Sequence, residues 1–113
     1  VFPSEVRFKE AAIHAGEVVW TRGLLRRVGI CHGISGNTYA FLSLYRMTGD
    51  RDFLHKANAF AKFLLERGKK LISCGEMHGG DHPYSLFEGL AGTACLYLDM
   101  AQPDGAAFPG YEI

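Results

Sequence analysis

Gly29-Ile30-Cys31-His32-Gly33-Ile34-Ser35-Gly36-Asn37-Thr38-Tyr39-Ala40-Phe41-Leu42 is the stretch from which the rest of the chain can be read. Gly33 and Gly36 let the backbone turn sharply and come close to another group. Thr38 to Met47, which follows, is apolar almost all round (Tyr39, Ala40, Phe41, Leu42, Leu44, Tyr45, Met47), the pattern of a helix enclosed by other helices. Cys31 and His32 would therefore project from a helix start. Sulfur with nitrogen suits zinc, but a catalytic zinc usually takes three protein ligands and keeps one open position, so two adjacent donors are part of a set. The residues alone leave a second reading open, with Cys31 as a small buried apolar side chain and His32 bonded to a nearby carbonyl.

The turn has an internal echo. Aligning Gly33 with Gly89 gives an offset of 89 − 33 = 56 residues, at which Gly33-Ile34-Ser35-Gly36-Asn37 parallels Gly89-Leu90-Ala91-Gly92-Thr93, and Phe41-Leu42 parallels Tyr97-Leu98. Each copy is a Gly-x-small-Gly turn that opens an apolar helix. Such a unit cannot bury both of its helices alone, so neighbouring repeats are expected to stack beside it. Glu88 takes the place of His32 in the second copy, where a carboxylate could orient a ligand, support a ligand residue, or cap the helix. Cys95 echoes Tyr39 and reads as core.

Outward from the turns, the spacing predicts a helix from about Ser4 to about Trp20, with Pro3 and Ser4 at its start and Val6, Ala12, Ile13, Val19 and Trp20 on one side. Phe53, Leu54, Ala57, Phe60, Ala61, Leu64 and Leu65 recur at three- and four-residue steps and predict an amphipathic helix. Asp50 would be its N-cap, and Gly68, among Arg67, Lys69 and Lys70, its stop. Leu90 to Met100 predicts a fourth, enclosed helix. Sustained alternation is lacking, so no sheet is expected and the fold class is all-α. Cys74, Glu76, His78, Asp81 and His82 fit no standard ligand spacing and read as a polar loop. Arg22, Arg26 and Arg27 suit either a carboxylate substrate or a solvated basic loop.

The 113 residues carry 12 basic and 12 acidic side chains, so no basic field exists to gather nucleic acid or an anionic membrane. No apolar run approaches the roughly 20 residues needed to span a bilayer. Three cysteines do not make a disulfide scaffold, which points to a reducing, cytoplasmic setting. A start at Val1-Phe2-Pro3 suggests a chain that begins inside a longer protein.

The stretch 29–42 resembles the signature of eukaryotic LanC-like proteins, relatives of the bacterial lanthionine synthetase cyclases. The likeness continues in order through Leu44-Tyr45-Arg46-Met47-Thr48-Gly49-Asp50, Phe60-Ala61-Lys62-Phe63-Leu64-Leu65, Pro83-Tyr84-Ser85-Leu86-Phe87-Glu88-Gly89-Leu90-Ala91-Gly92-Thr93 and Phe108-Pro109-Gly110-Tyr111-Glu112-Ile113. The wording around His78 to Pro83 is nearest the plant branch. The resemblance implies an α/α toroid of seven hairpins related to six-hairpin glycosidases, of which residues 1–113 would be about the last two hairpins, the C-terminal part of the domain. It also implies zinc held by Cys31, His32 and a cysteine of an earlier repeat, with the acid/base His and Asp likewise upstream.

What the resemblance implies for function is activation of a thiol, glutathione in eukaryotic members, for addition to dehydroamino acids. Arg26 stands where the family places a basic residue near glutathione, and His78 and Asp81 fall on its glutathione loop, with His78 at the position of an Arg in animal members. The alternative is a non-catalytic scaffold or signalling adaptor that keeps a structural zinc, including the plant hormone signalling role proposed for that branch. A protein substrate or a signalling partner is expected accordingly, and the location would be cytoplasmic or peripheral at the plasma membrane. The 113 residues alone are not expected to be active. A glycosidase is a more distant reading, since no flanking carboxylate pair is identifiable.

Overall fold

The structure, a computed structural model, describes residues 5–112. Its elements are α1 (Val6–Arg22), α2 (Ile34–Thr48), α3 (Arg51–Phe63), a π-helical turn (Leu64–Gly68), α4 (Lys69–Ser73), α5 (Leu90–Ala101) and a 3-10 turn (Pro103–Gly105). The architecture is all-α, as predicted. The described residues form no strand, only an isolated parallel bridge between Arg27 and His78.

α2 is the centre of the molecule. Tyr39, Phe41 and Leu42 are at most 1% exposed and lie in one core with Phe53, Ala57, Phe60 and Leu64 of the following helical rod and Leu96 of α5. Burying an aromatic such as Phe41 in this way contributes about 1.5–3 kcal/mol. The helix begins at Ile34, four residues before the predicted Thr38, because Gly33 is extended and serves as its N-cap. The two residues between α2 and α3 make these helices neighbours, and Asp50 caps α3 as expected, accepting from Asp52 N at 2.9 Å.

α1 starts at Val6, with Glu5 as its N-cap; the predicted start at Pro3 and Ser4 lies outside the described residues. It runs two residues past Trp20, whose ring stacks on Phe60 at 5.8 Å and meets the edge of Phe41 at 6.2 Å. Val6, assigned to the inner side, is instead exposed. Lys56 closes the joint between α1 and α3. Its Nζ lies 5.7 Å from the Trp20 ring centre and 5.4 Å from that of Phe53, and bonds Glu17 at 3.2 Å and Asp52 at 3.0 Å.

The predicted stop at Gly68 is not where the rod ends. Gly68 has ordinary helical angles (φ −56, ψ −50), and the chain passes through the wider π turn into α4 as far as Ser73. The turn away from the helix falls at Gly75, whose φ of +81 is the left-handed conformation that glycine adopts without a steric cost. Leu65, read as inward-facing, is 70% exposed on this rod.

α5 joins α2 through a Ser35 to Thr93 hydroxyl pair at 3.0 Å and through Tyr39, whose hydroxyl donates to Asp99 at 2.7 Å. Beyond α5, residues 103–112 cross back over α2. Tyr45 donates to Asp104, Arg46 to Glu112 at 2.7 Å, and Phe108 packs edge-on against Tyr39 at 5.4 Å. Val6 and Phe8 of α1 and Leu90 and Leu98 of α5 remain exposed on outward faces. No helix among the described residues is long and apolar enough to cross a membrane.

Candidate functional site at the paired glycine turns

The two turns are built alike down to single hydrogen bonds. Ile34 N donates to Arg27 O at 2.9 Å, and Leu90 N, 56 positions on, donates to Pro83 O at 2.8 Å. In both, the second glycine lies against a carbonyl six residues earlier: a Cβ on Gly36 would run into Ile30 O, and one on Gly92 into Leu86 O. Each helix start is thereby pressed onto the loop that precedes it. The two loops are bonded to each other as well, with Cys31 N donating to Phe87 O at 2.8 Å.

This frame turns Cys31 and His32 outward. Both are exposed, and neither side chain forms a hydrogen bond among the described residues. The reading of a buried cysteine and a carbonyl-bonded histidine is therefore overturned: the buried positions of the turn are Gly29, Ile30, Gly33 and Ile34. A cysteine sulfur and an imidazole on one turn, with no competing partners, are donors of the kind zinc takes. They are two donors only, because no group of three or more His, Cys, Asp or Glu placed to hold a metal occurs among the described residues.

His32 shares a small hollow with Arg27, Gly29, Gly80, Phe87 and Glu88. Glu88 does not cap α5: that helix has no side-chain cap, and Glu88 Oε2 accepts instead from His82 N at 3.2 Å. Phe87 was not singled out as a site residue by the sequence, and Arg27 only as one of three arginines that suit a carboxylate substrate or a solvated loop. The signal for Phe87 was present, since it stands 56 positions after Cys31.

Arg26 and His78 are brought together beside the turn. His78 N donates to Arg26 O at 2.7 Å, and the two residues line a wider cleft with Ile72, Glu76, Met77 and Pro83. Asp81 lies within reach of this pair, its Oδ1 3.6 Å from His78 Nε2, while His78 Nδ1 accepts from Gly80 N at 2.9 Å. Of the remaining candidates, Arg22 ends α1 in solvent, Cys74 is exposed and its thiol meets Leu71 O at 3.4 Å, and Cys95 is half-buried on α5.

The helical repeats and their glycine turns define a class, and residues 2–113 match the family of lanthionine synthetase C-like proteins. The chain belongs to that family. It is similar to LanC-like protein GCL1 of Arabidopsis thaliana, with 51% identity over 113 residues, which is all of this chain and 26% of that protein. It is also similar to the Danio rerio protein named glutathione S-transferase LANCL1, with 42% identity over 111 residues, or 95% of this chain and 25% of that protein. The chain thus spans about a quarter of the length of these relatives.

Proposed function

We propose that Cys31 and His32 are two protein ligands of a zinc site completed by a cysteine outside these residues, and that the whole site activates a thiol, with glutathione as the thiol donor. The observation that carries this reading is the pair of consecutive, exposed and unbonded soft donors on a turn fixed from both sides by backbone hydrogen bonds. The name of the zebrafish relative, glutathione S-transferase, supports the choice of thiol.

Zinc, when bound, lowers the pKa of a coordinated thiol so that the nucleophile exists at neutral pH. In the reaction, the thiol sulfur bonds to the β-carbon of a dehydroalanine or dehydrobutyrine. The alkene electron pair moves to the α-carbon, which takes up the proton. The part of this chain is to hold and orient: Cys31 and His32 fix the centre, and Arg26 and His78, which line one cleft, offer cationic and hydrogen-bonding groups to the carboxylates of glutathione. Asp81 stands 3.6 Å from His78 on the same loop.

Metal analysis of the full-length protein that carries these residues tests the reading. About one zinc per molecule is expected after purification, and both Cys31→Ala and His32→Ala, with weakened affinity, should lose it during purification. Full zinc content in both variants would overturn it. Zinc retained by the unaltered protein with no glutathione addition to a dehydroalanine peptide would favour a scaffold or adaptor that keeps a structural zinc.

A further inference from the structure

We propose that Glu88 is a positioning residue for His32, a carboxylate supplied by the second repeat to the metal-binding turn of the first. The inference rests on the zinc reading above and adds a residue to it. Three observations carry it. His32 and Glu88 line one small hollow. Their loops are joined one position earlier by the Cys31 to Phe87 hydrogen bond, so residues 32 and 88 sit side by side across the seam between the repeats. And Glu88 is not used as a helix cap, the structural task its place before α5 would suggest.

The carboxylate is held in place but not saturated. Glu88 N donates to Ser85 Oγ at 3.2 Å, and the Glu88 carbonyl lies so close to Gly29 and Gly80 that a Cβ there would come within 2.7 Å and 2.5 Å of it. Oε2 accepts from His82 N, whereas Oε1 accepts nothing among the described residues. Arg27 lines the same hollow without pairing with Glu88. An imidazole that gives one nitrogen to a metal keeps an N–H on the other, and a carboxylate accepting that proton fixes the tautomer and the ring orientation and strengthens the ligand. Oε1 of Glu88 is an acceptor free for this bond. Because residue 88 repeats the place of residue 32, one projecting position would supply a ligand in the first copy and its support in the second.

Zinc affinity of the full-length protein, measured by competition with a chromophoric chelator, tests the assignment alongside thermal unfolding of the zinc-free forms. Glu88→Gln removes the charge but can keep the bond from His82 N. It should weaken zinc binding about 10- to 100-fold and leave the zinc-free unfolding temperature unchanged. In a His32→Ala background, where zinc binding is already weakened, Glu88→Gln should add nothing. Unchanged affinity in Glu88→Gln, or an equal further loss in the His32→Ala background, would overturn the inference. Should Glu88→Gln fail to fold, Glu88→Asp decides, its shortened carboxylate being expected to weaken zinc by at least several-fold. Zinc binding unaffected by His32→Ala would instead remove the underlying zinc reading, an outcome distinct from either of these.

Discussion

The amide of Cys31 donates to the carbonyl of Phe87 at 2.8 Å, a bond between two residues 56 positions apart that occupy the same place in successive repeats. The turn that presents the candidate metal donors is therefore held by the next repeat as well as by its own helix. Its shape depends on close backbone approaches that glycine alone permits.

Gly36→Ala and Gly92→Ala should each destabilise the protein by about 1–3 kcal/mol, the usual cost of forcing extra volume into a packed site. In both cases the new methyl group meets a backbone carbonyl that cannot step aside, Ile30 O or Leu86 O. Gly105→Ala, where nothing lies within 4 Å, is the control and should be close to neutral. Urea unfolding of the three variants would show the contrast.

Gly68→Ala should stabilise by about 0.5–1 kcal/mol, because glycine within a helix costs backbone entropy relative to alanine. The residue has right-handed helical angles, and an added Cβ would meet only Leu64 Cδ2 at an ordinary 3.8 Å. Had Gly68 ended the helix in a left-handed conformation, the same substitution would destabilise, so the sign of the change in the unfolding midpoint discriminates.

Tyr39 makes stability sensitive to alkali. Burial, reinforced by the hydrogen bond to Asp99, raises its pKa well above the usual tyrosine value of about 10. The folded state then keeps a proton that the unfolded chain releases. The contribution is complete below about pH 10 and is lost progressively as pH rises beyond it. Tyr39→Phe should cost about 1.5–3 kcal/mol at neutral pH through the lost bond to a carboxylate, and should flatten the fall in stability between about pH 9 and pH 11. Denaturant titrations at both ends of that range check the slope.

Lys56→Ala should destabilise by more than Lys56→Met. The lysine side chain is only 12% exposed, packed between the rings of Trp20 and Phe53, whereas its partners Glu17 and Asp52 are 55% and 62% exposed. Half-exposed ion pairs contribute at most about 1 kcal/mol each and are screened by salt, so most of the effect should follow the buried aliphatic stem. Thermal unfolding of both variants at low and high salt would separate the two parts.

The sequence made the helices legible wherever apolar spacing was regular. Phe53, Ala57 and Phe60 marked the inner face of α3, and Asp50 its start, because periodicity and capping are local. The same local logic misplaced the end of that rod: Arg67 and Gly68 look like a terminus, but Gly68 is buried with right-handed helical angles and the chain stays helical as far as Ser73. Leu65 was misassigned for a related reason, since its neighbours Ala61 and Leu64 already fill the inner face. At the site, the offset between the two glycine turns identified Cys31, His32 and Glu88 as related positions. It could not reveal that Arg27 would line a hollow with His32 and Glu88, or that Arg26 and His78 would be bonded through their backbones. Those are contacts between loops some 50 residues apart in sequence.

The twin turns also bear on how a family of this kind can change its chemistry. Their frame is made of main-chain bonds and of glycines that admit no side chain, so nearly every substitution within it is harmful whatever the new residue offers. Positions 31 and 32 are different, because their side chains leave the frame untouched, and position 88 repeats one of them. Duplication of such a unit supplies successive sockets whose contents can be exchanged without redesigning the mount, so that a histidine in one copy stands where a carboxylate stands in the next.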